Sequence, residues 1–263
     1  SFIIPEFRKH SEYEKETRYS HESTDDDDII TLEDICRGKQ NVLLLGKKEI
    51  GKTTVLHYIA KYCFANFNAL TTVPVIINTQ YIDYSGKNVI TRAIQKYIYE
   101  YCDGSSSFSM DDIEKLLNAG LCTIMFDDFE SVNDRQLVKI NQFINDYPKN
   151  RFIFSKKENI TAKYLSDEDI TPSCECETAH ICALTKGQIR AIATQNFSSG
   201  DCSVLVDKIM LCFKKTTLPK TPFVLSLMLS ICDTADFTPI NEAVIMEQFM
   251  ESLLEKASPL EAY

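Results

Sequence analysis

Apolar residues occur along much of the chain in short runs that contain few polar residues. Four such runs lie at residues 42–45, 73–77, 121–126 and 151–154, and a fifth is expected near 177–182. Neighbouring positions of a strand face opposite sides of a sheet, so runs of this kind are typical of strands that are covered on both faces.

Between these runs, apolar residues recur at helical spacing, as at Val55, Ile59 and Cys63. This spacing predicts helices over 53–64, 88–101 and 135–144, and a short helix is predicted from Thr31, the first residue of a capping motif, to Gly38. Strands that alternate with helices indicate a parallel sheet wound by helices on both faces. We therefore predict an α/β fold with a doubly wound parallel sheet of about five strands.

The pattern changes beyond Leu184, where the strand signal ends. Helices are predicted at the end of the chain over 186–197, 201–214, 222–232 and 241–256. We expect three parts: a polar arm or linker over 1–28, an α/β domain over 29–183 and a small helical lid domain over 184–263. The chain starts at a serine, and we expect it to be a piece of a longer protein.

Composition and charge narrow the classes of protein that fit. The chain has 263 residues, is 44% hydrophobic and carries a net charge of -10. This charge repels a phosphate backbone unless the basic residues gather on one face, so no direct nucleic-acid partner is expected. No apolar run reaches the length of a membrane span and no signal peptide is recognisable, so a cytoplasmic protein without a membrane partner is expected.

Ten cysteines are scattered along the chain. In a chain of this size we expect reduced, mostly buried thiols rather than a disulfide framework. The closest cluster consists of Cys174, Cys176, His180 and Cys182. It lacks the paired CxxC spacing of zinc sites, and its alternation favours a strand.

A glycine-rich segment, GKKEIGKT at 46–53, separates the first strand from the next helix. The spacing GxxxxGK[ST] is that of the P-loop (Walker A), in which backbone N–H groups surround phosphates, the lysine reaches the β- and γ-phosphates and the hydroxyl residue binds Mg²⁺. We therefore predict that the chain binds ATP or ADP with magnesium. The predicted nucleotide-binding residues are Gly46, Lys47, Lys48, Glu49, Ile50, Gly51, Lys52, Thr53 and Thr54.

A second acidic motif follows the third predicted strand, in the segment TIMFDDFE at 123–130. A strand that ends in an aspartate brings its carboxylate to the carboxyl edge of the sheet, where the P-loop also lies. Asp127 is the expected magnesium ligand together with Thr53 (Walker B). Catalysis also needs a group that acts on the attacking water, and both Asp128 and Glu130 are candidates.

The fourth predicted strand ends in Ser155-Lys156-Lys157-Glu158. A cation at this position of a doubly wound nucleotide domain can sense the γ-phosphate. Lys156 and Lys157 are therefore candidate sensors.

These motifs in this order resemble the NACHT domains of the STAND class of signal-transduction NTPases. LLLGKKEIGKTT resembles the family's Walker A, IMFDDFES its extended Walker B, and RFIFSKK its sensor strand, in which Lys157 stands where relatives commonly have arginine. The segment 218–225 resembles the helical-domain motif, and this resemblance implies that Pro222 packs against the adenine. After the first acidic pair, Asp127-Asp128, relatives often have a second pair, Asp-Glu. This chain has Glu130-Ser131 there, so we expect slow hydrolysis.

The resemblance implies a molecular switch. Proteins of this class hold ADP in a closed state, exchange it for ATP, and then self-associate to activate an effector, with a sensor domain fused at the other end. Relatives serve in defence against phage or in innate immunity. Two alternatives stay open: an ADP-bound interaction scaffold that does not hydrolyse ATP, and an AAA+-type ring ATPase, for which Arg135 and Arg190 are the candidate arginine fingers.

Overall fold

Two compact units make up the chain. A computed structural model describes residues 3–11, 28–101, 108–158, 170–196, 203–216 and 218–231, and the single residues 244, 247 and 250. The larger unit comprises Phe7–Lys48 and Lys52–Cys182. The smaller unit contains Ser1–Glu6, Glu49–Gly51 and Ala183–Tyr263, as far as these segments are described.

The larger unit is built on a seven-stranded sheet with the order β2-β1-β7-β3-β6-β5-β4. The strands are β1 (Phe7–Arg8), β2 (Ile29–Ile30), β3 (Asn41–Gly46), β4 (Val73–Asn78), β5 (Cys122–Asp127), β6 (Arg151–Lys157) and β7 (Cys176–Ile181). The strands from β7 to β4 in this order pair in parallel, and β1 pairs antiparallel with both β2 and β7. This confirms the predicted α/β fold.

Helices follow the strands as the apolar spacing predicts. The helices of this unit are α1 (Leu32–Arg37), α2 (Lys52–Ala65), α3 (Phe67–Leu70), α4 (Val89–Tyr101), α5 (Met110–Ala119) and α6 (Asp134–Asp146). The predicted start of α1 is confirmed, because Thr31 and Asp34 form a reciprocal capping box. Helix α5 was absent from the sequence-based prediction, although Ser109 and Asp112 form a capping box and Gly120 ends the helix at φ 71°.

A phenylalanine cluster fills the core on one face of the sheet. Phe126 and Phe154, on adjacent strands, stack with ring centroids 5.4 Å apart, and Phe129 meets Phe154 edge-on at 4.9 Å. All three rings are fully buried. Phe129 lies within the acidic motif, between Asp128 and Glu130, so its burial anchors the loop in which the candidate catalytic residues lie.

Part of the segment predicted as a polar arm belongs to the sheet. Phe7 is buried, and it pairs with Ile30 of β2 and with Ile181 of β7. The backbone amide of His10 donates to the Asp28 carboxylate at 3.1 Å. Residues 12–27 lie outside the described part of the chain.

The smaller unit is helical in its described part beyond Ala183. It contains α7 (Lys186–Asn196), α8 (Ser203–Lys215) and α9 (Pro222–Ile231), which share an apolar core that includes Ile189, Val206 and Leu225. The predicted helix over 241–256 lies outside the described residues except for residues 244, 247 and 250. In the described ranges, no helix has both the length and the apolar character that crossing a membrane requires.

Candidate nucleotide-binding site

The loop between β3 and α2 carries the predicted P-loop residues. Glu49 and Gly51 have positive φ angles of 63° and 101°, which turn the backbone sharply before α2 begins at Lys52. Among the described residues, and apart from Gly51 itself and its two chain neighbours, no atom lies within 4 Å of the position that a Cβ would take at Gly51. The turn and the free N-terminal amides of α2 are the features that a phosphate group requires at a helix start.

The side chain of Lys52 folds back along the loop. Its ammonium donates to the carbonyl oxygens of Gly46 at 3.3 Å and Lys47 at 3.4 Å. The loop therefore holds a positive charge close to its own backbone amides, and both attract an anion.

Asp127 lies at the centre of a hydrogen-bond network. The Thr53 hydroxyl donates to Asp127 Oδ2 at 2.7 Å, and the Ser155 hydroxyl donates to Asp127 Oδ1 at 2.5 Å. Only 2% of Asp127 is exposed. Strands β3, β5 and β6 thus bring the two predicted magnesium ligands, which are far apart in sequence, into direct contact. Hydroxyl and carboxylate oxygens are ligands that Mg²⁺ prefers, so this donor set fits the ion.

Asp128 adopts a left-handed backbone conformation with φ 55°. Its amide donates to Ser155 Oγ at 3.2 Å, and its carboxylate accepts a hydrogen bond from Asn78 Nδ2 at 2.9 Å. Its carbonyl oxygen accepts hydrogen bonds from the hydroxyls of Thr79 and Ser131, both at 2.8 Å. These contacts fix a backbone conformation that costs energy for a residue other than glycine.

Glu130 lies in a short 3-10 helix, Phe129–Ser131, directly after Asp128. Its Oε2 atom is buried and has no hydrogen-bond partner within the described part of the chain. The structure thus separates the two candidate bases by environment, because the Asp128 carboxylate has a fixed partner in Asn78 and this oxygen of Glu130 has none.

The end of β6 lies beside the start of the P-loop. Lys157 is exposed and pairs in register with Gly46, whereas Lys156 is 5% exposed and donates to the carbonyl of Ile170 at 2.7 Å. The backbone amide of Glu158 donates to Gly46 O at 3.1 Å. Of the two candidate sensor lysines, Lys157 therefore has the exposed side chain.

The other predicted nucleotide-binding residues differ in exposure. Lys47, Lys48, Glu49 and Thr54 are exposed, and Ile50 is buried. Pro222 is the first residue of α9, where proline is favoured because its missing N–H has no helical partner to lose.

Sequence reasoning missed Asn78, Thr79 and Ser155. Asn78 and Thr79 lie at the carboxyl end of β4, and Ser155 lies near the end of β6. All three are polar residues at or just beyond the ends of apolar runs. This pattern is visible in the sequence and could have marked them as candidate site residues. Only the order of the strands shows that they surround Asp127 and Asp128.

Replacing Ser155 with alanine is expected to lower the free energy of unfolding by about 2 kcal/mol. The substitution removes a hydrogen bond to a buried carboxylate and the acceptor of the Asp128 amide. Urea unfolding of both proteins measures the change. The control is Ser226→Ala, which replaces an exposed serine of a helix. We expect it to change the free energy of unfolding by less than about 0.5 kcal/mol. Equal losses for the two variants would contradict a structural role of Ser155 at Asp127.

At the carboxyl edge of the parallel sheet, the glycine loop joins strand β3 to helix α2, and an acidic residue stands at the end of β5. The chain has the P-loop NTPase fold. No protein-family model matches it. No curated protein matches it either.

Solved structures with a similar fold include two proteins of Aeropyrum pernix. One is ORC2, solved as ADPNP–ADP complexes, with 14% identity, a TM-score of 0.47 and coverage of 84% of this chain and 64% of that chain. The other is ORC1, solved in complex with DNA, with 16% identity, a TM-score of 0.46 and coverage of 84% of this chain and 63% of that chain. The chain thus spans less than two thirds of the length of either protein. Likeness at this level concerns the fold alone.

The expectation that the chain has no direct nucleic-acid partner is contradicted by this comparison, because the ORC1 structure is a complex with DNA. That expectation rested on the net charge of -10. Net charge is a weak criterion, because a few basic residues on one face are enough to contact phosphates even on an acidic protein.

Proposed function

We propose that the chain is the nucleotide-binding part of a NACHT-like molecular switch of the STAND class. It binds ATP or ADP with magnesium, hydrolyses ATP slowly and controls the self-association of a larger protein that carries effector and sensor domains. The resemblance of its motifs to those of NACHT domains supports this assignment and the role in defence that such proteins have.

The contact between Thr53 and Asp127 carries the proposal. Their side-chain oxygens lie 2.7 Å apart although the residues are 74 positions apart in sequence. A hydroxyl at the first turn of the P-loop helix and a carboxylate at the end of a neighbouring strand are the protein ligands that such a site offers to Mg²⁺. The magnesium ion, when bound with the nucleotide, neutralises charge on the phosphates.

The remaining residues have complementary roles in this proposal. Lys52 neutralises charge on the β- and γ-phosphates, and the amides of 46–53 bind the phosphate oxygens. Asp128 acts on the attacking water, Lys157 senses the γ-phosphate, and Pro222 contacts the adenine. Slow turnover suits a switch, because the bound nucleotide must persist long enough to define a state.

Self-association is expected to depend on which nucleotide is bound. With ADP and Mg²⁺ the chain should elute as a monomer, and with a non-hydrolysable ATP analogue and Mg²⁺ it should form a dimer or a larger assembly. Size-exclusion chromatography with light scattering measures the mass in each state. Denaturing the purified protein and analysing the released nucleotide by chromatography identifies the resting state, which we expect to be ADP-bound.

The Lys52→Ala variant is the matched control for the nucleotide-dependent assembly. It should have the same mass with either nucleotide. Equal masses for the wild-type chain with both nucleotides, when both are shown to bind, would contradict the switch and leave a nucleotide-binding scaffold.

A further inference from the structure

Two thiols face each other at the start of β7. The Sγ atoms of Cys174 and Cys176 are 3.8 Å apart, and both side chains are partly exposed. The other described cysteines differ from this pair. Cys36, Cys63, Cys122 and Cys212 are buried. Cys182 is partly exposed and, like Cys176, contacts a backbone carbonyl, but within the described residues only Cys174 and Cys176 have their Sγ atoms in contact.

Hydrogen bonds on both sides of the pair hold the backbone in place. The backbone amide of Ser173 donates to Asn141 Oδ1 of α6 at 3.0 Å, and the side-chain amide of Asn41 donates to the carbonyl of Glu175 at 3.1 Å. The chain bends at residues 173 and 174, directly before β7. The two thiols therefore meet because their segment is fixed to a helix and to a neighbouring strand, and no flexible loop has to close.

The two sulfurs are chemically unequal. The contact between the two thiols lowers the pKa of Cys174 below its ordinary value and raises that of Cys176. Burial has the opposite effect elsewhere, raising the pKa of Cys36 to about 12 and that of Cys122 to about 11. The thiolate is the reactive form of cysteine, so Cys174 is the preferred nucleophile and Cys176 its neighbour in reach.

Small molecules can reach Cys176, and thus the neighbourhood of the pair, from the amino edge of the sheet. Cys176 lines an open groove of about 1040 Å³, together with Lys149, Arg151, Glu175 and Glu177 among others. This is the edge opposite the P-loop, because β7 and β3 are parallel and their carboxyl ends carry the nucleotide site. A reagent in this groove does not have to displace a nucleotide.

We propose that Cys174 and Cys176 form a redox modification site, which a hydroperoxide converts from a dithiol to an intramolecular disulfide. The Cys174 thiolate attacks an oxygen of the hydroperoxide. An S–O bond forms, the O–O bond breaks, and the leaving oxygen takes a proton and departs as an alcohol, or as water from hydrogen peroxide. The Cys176 thiol then loses its proton and attacks the sulfur of the sulfenic acid, so that an S–S bond forms and the S–O bond breaks, and the departing hydroxide takes up the proton and leaves as water. The two thiols lose two electrons and the hydroperoxide gains them.

The distance between the two sulfurs favours an intramolecular disulfide over a metal complex. A disulfide has an S–S length of about 2.05 Å, so the sulfurs must approach by about 1.8 Å, which side-chain rotation can provide in part. Metal binding by the pair is disfavoured, because a structural zinc site needs four ligands and no cluster of three or more His, Cys, Asp or Glu side chains suited to a metal occurs in the part of the chain that the structure describes.

Mass spectrometry of the chain treated with dilute hydrogen peroxide tests the proposal. The peptide that contains both cysteines should lose the mass of two hydrogen atoms, should no longer react with iodoacetamide, and should regain both thiols after treatment with dithiothreitol. In Cys176→Ser the same treatment should leave a sulfenic acid at Cys174 that dimedone traps. The control Cys182→Ser should behave as the wild type does.

Three results would overturn the proposal. They are a peptide that keeps both thiols while other cysteines are oxidised, a disulfide that joins either residue to Cys182 or to a second chain, and oxidation of Cys174 to the sulfinic acid in the wild type without a disulfide. Cys176→Ala provides a second variant, and the circular dichroism of each variant checks that it is folded before oxidation.

Discussion

Replacing Lys52 with alanine is expected to weaken ATP binding by about 100-fold or more. The ammonium of Lys52 is the cation that the loop places next to its own amides, where it contacts the carbonyls of Gly46 and Lys47. Hydrogen bonds to charged groups contribute roughly 1.5–3 kcal/mol each, and a lysine that reaches both the β- and γ-phosphates accounts for two of them, which corresponds to about 100-fold or more. Isothermal titration calorimetry with ATP and Mg²⁺ measures the affinity of the wild type and of the variant.

Lys61→Ala is the matched control for this experiment. Lys61 is an exposed lysine of the same helix, about two and a half turns further on, and its removal changes the net charge equally. Unfolding of Lys52→Ala without nucleotide must resemble that of the wild type, because the two lost contacts, to the carbonyls of Gly46 and Lys47, are long at 3.3 and 3.4 Å. Retained affinity in a folded Lys52→Ala variant would refute the P-loop assignment.

The nucleotide loop could be predicted from sequence because its chemistry is local. The glycines, Lys52 and Thr53 lie within eight consecutive positions, and a strand and a helix must flank such a loop. The position of Asp127 could be predicted because an apolar strand that ends in an aspartate places this residue at the carboxyl edge of a parallel sheet. Periodicity also predicted the parallel strands and most of the helices that follow them.

The polar residues around Asp127 could not be predicted in this way. Ser155 lies 28 positions after Asp127, and its contact with that carboxylate depends on β6 lying between β3 and β5. The roles of Asn78 and Thr79 depend likewise on β4 pairing with β5. Strand order is a long-range property that propensity and periodicity do not contain, so these residues looked like ordinary polar residues at strand ends.

Position within a strand also distinguishes two residues that the sequence left as equal candidates for the sensor. Lys156 and Lys157 are adjacent cations, but neighbouring strand positions face opposite sides of the sheet. Lys156 is buried and donates to the carbonyl of Ile170, whereas Lys157, on the other face and the last residue of β6, is exposed beside Gly46. The short strand β1 escaped prediction for a related reason, because two residues are too few to show a period.

Replacing Asp128 with asparagine is expected to lower the ATP turnover rate by about 100-fold or more, while nucleotide affinity stays within a few-fold of the wild type. Positioned general bases contribute about 10²–10⁴ to a rate, and asparagine keeps the size of the side chain while it removes the basic oxygen. Asn78 fixes the Asp128 carboxylate next to Asp127, whereas the buried Oε2 of Glu130 has no such partner in the described residues. Phosphate release in single-turnover conditions measures the rate, and calorimetry measures the affinity.

Glu130→Gln is the matched variant, because it changes a neighbouring carboxylate in the same isosteric way. If Asp128 is the base, the Glu130 variant should keep most of the turnover. The reverse order of the two rates would assign the base to Glu130, and a fall in both would indicate that the two carboxylates act on the water together. Equal, near-zero turnover in the wild type and in both variants would contradict hydrolysis altogether. In that case the contact of Thr53 with Asp127 would serve nucleotide retention alone, since magnesium binding needs those two residues and no base.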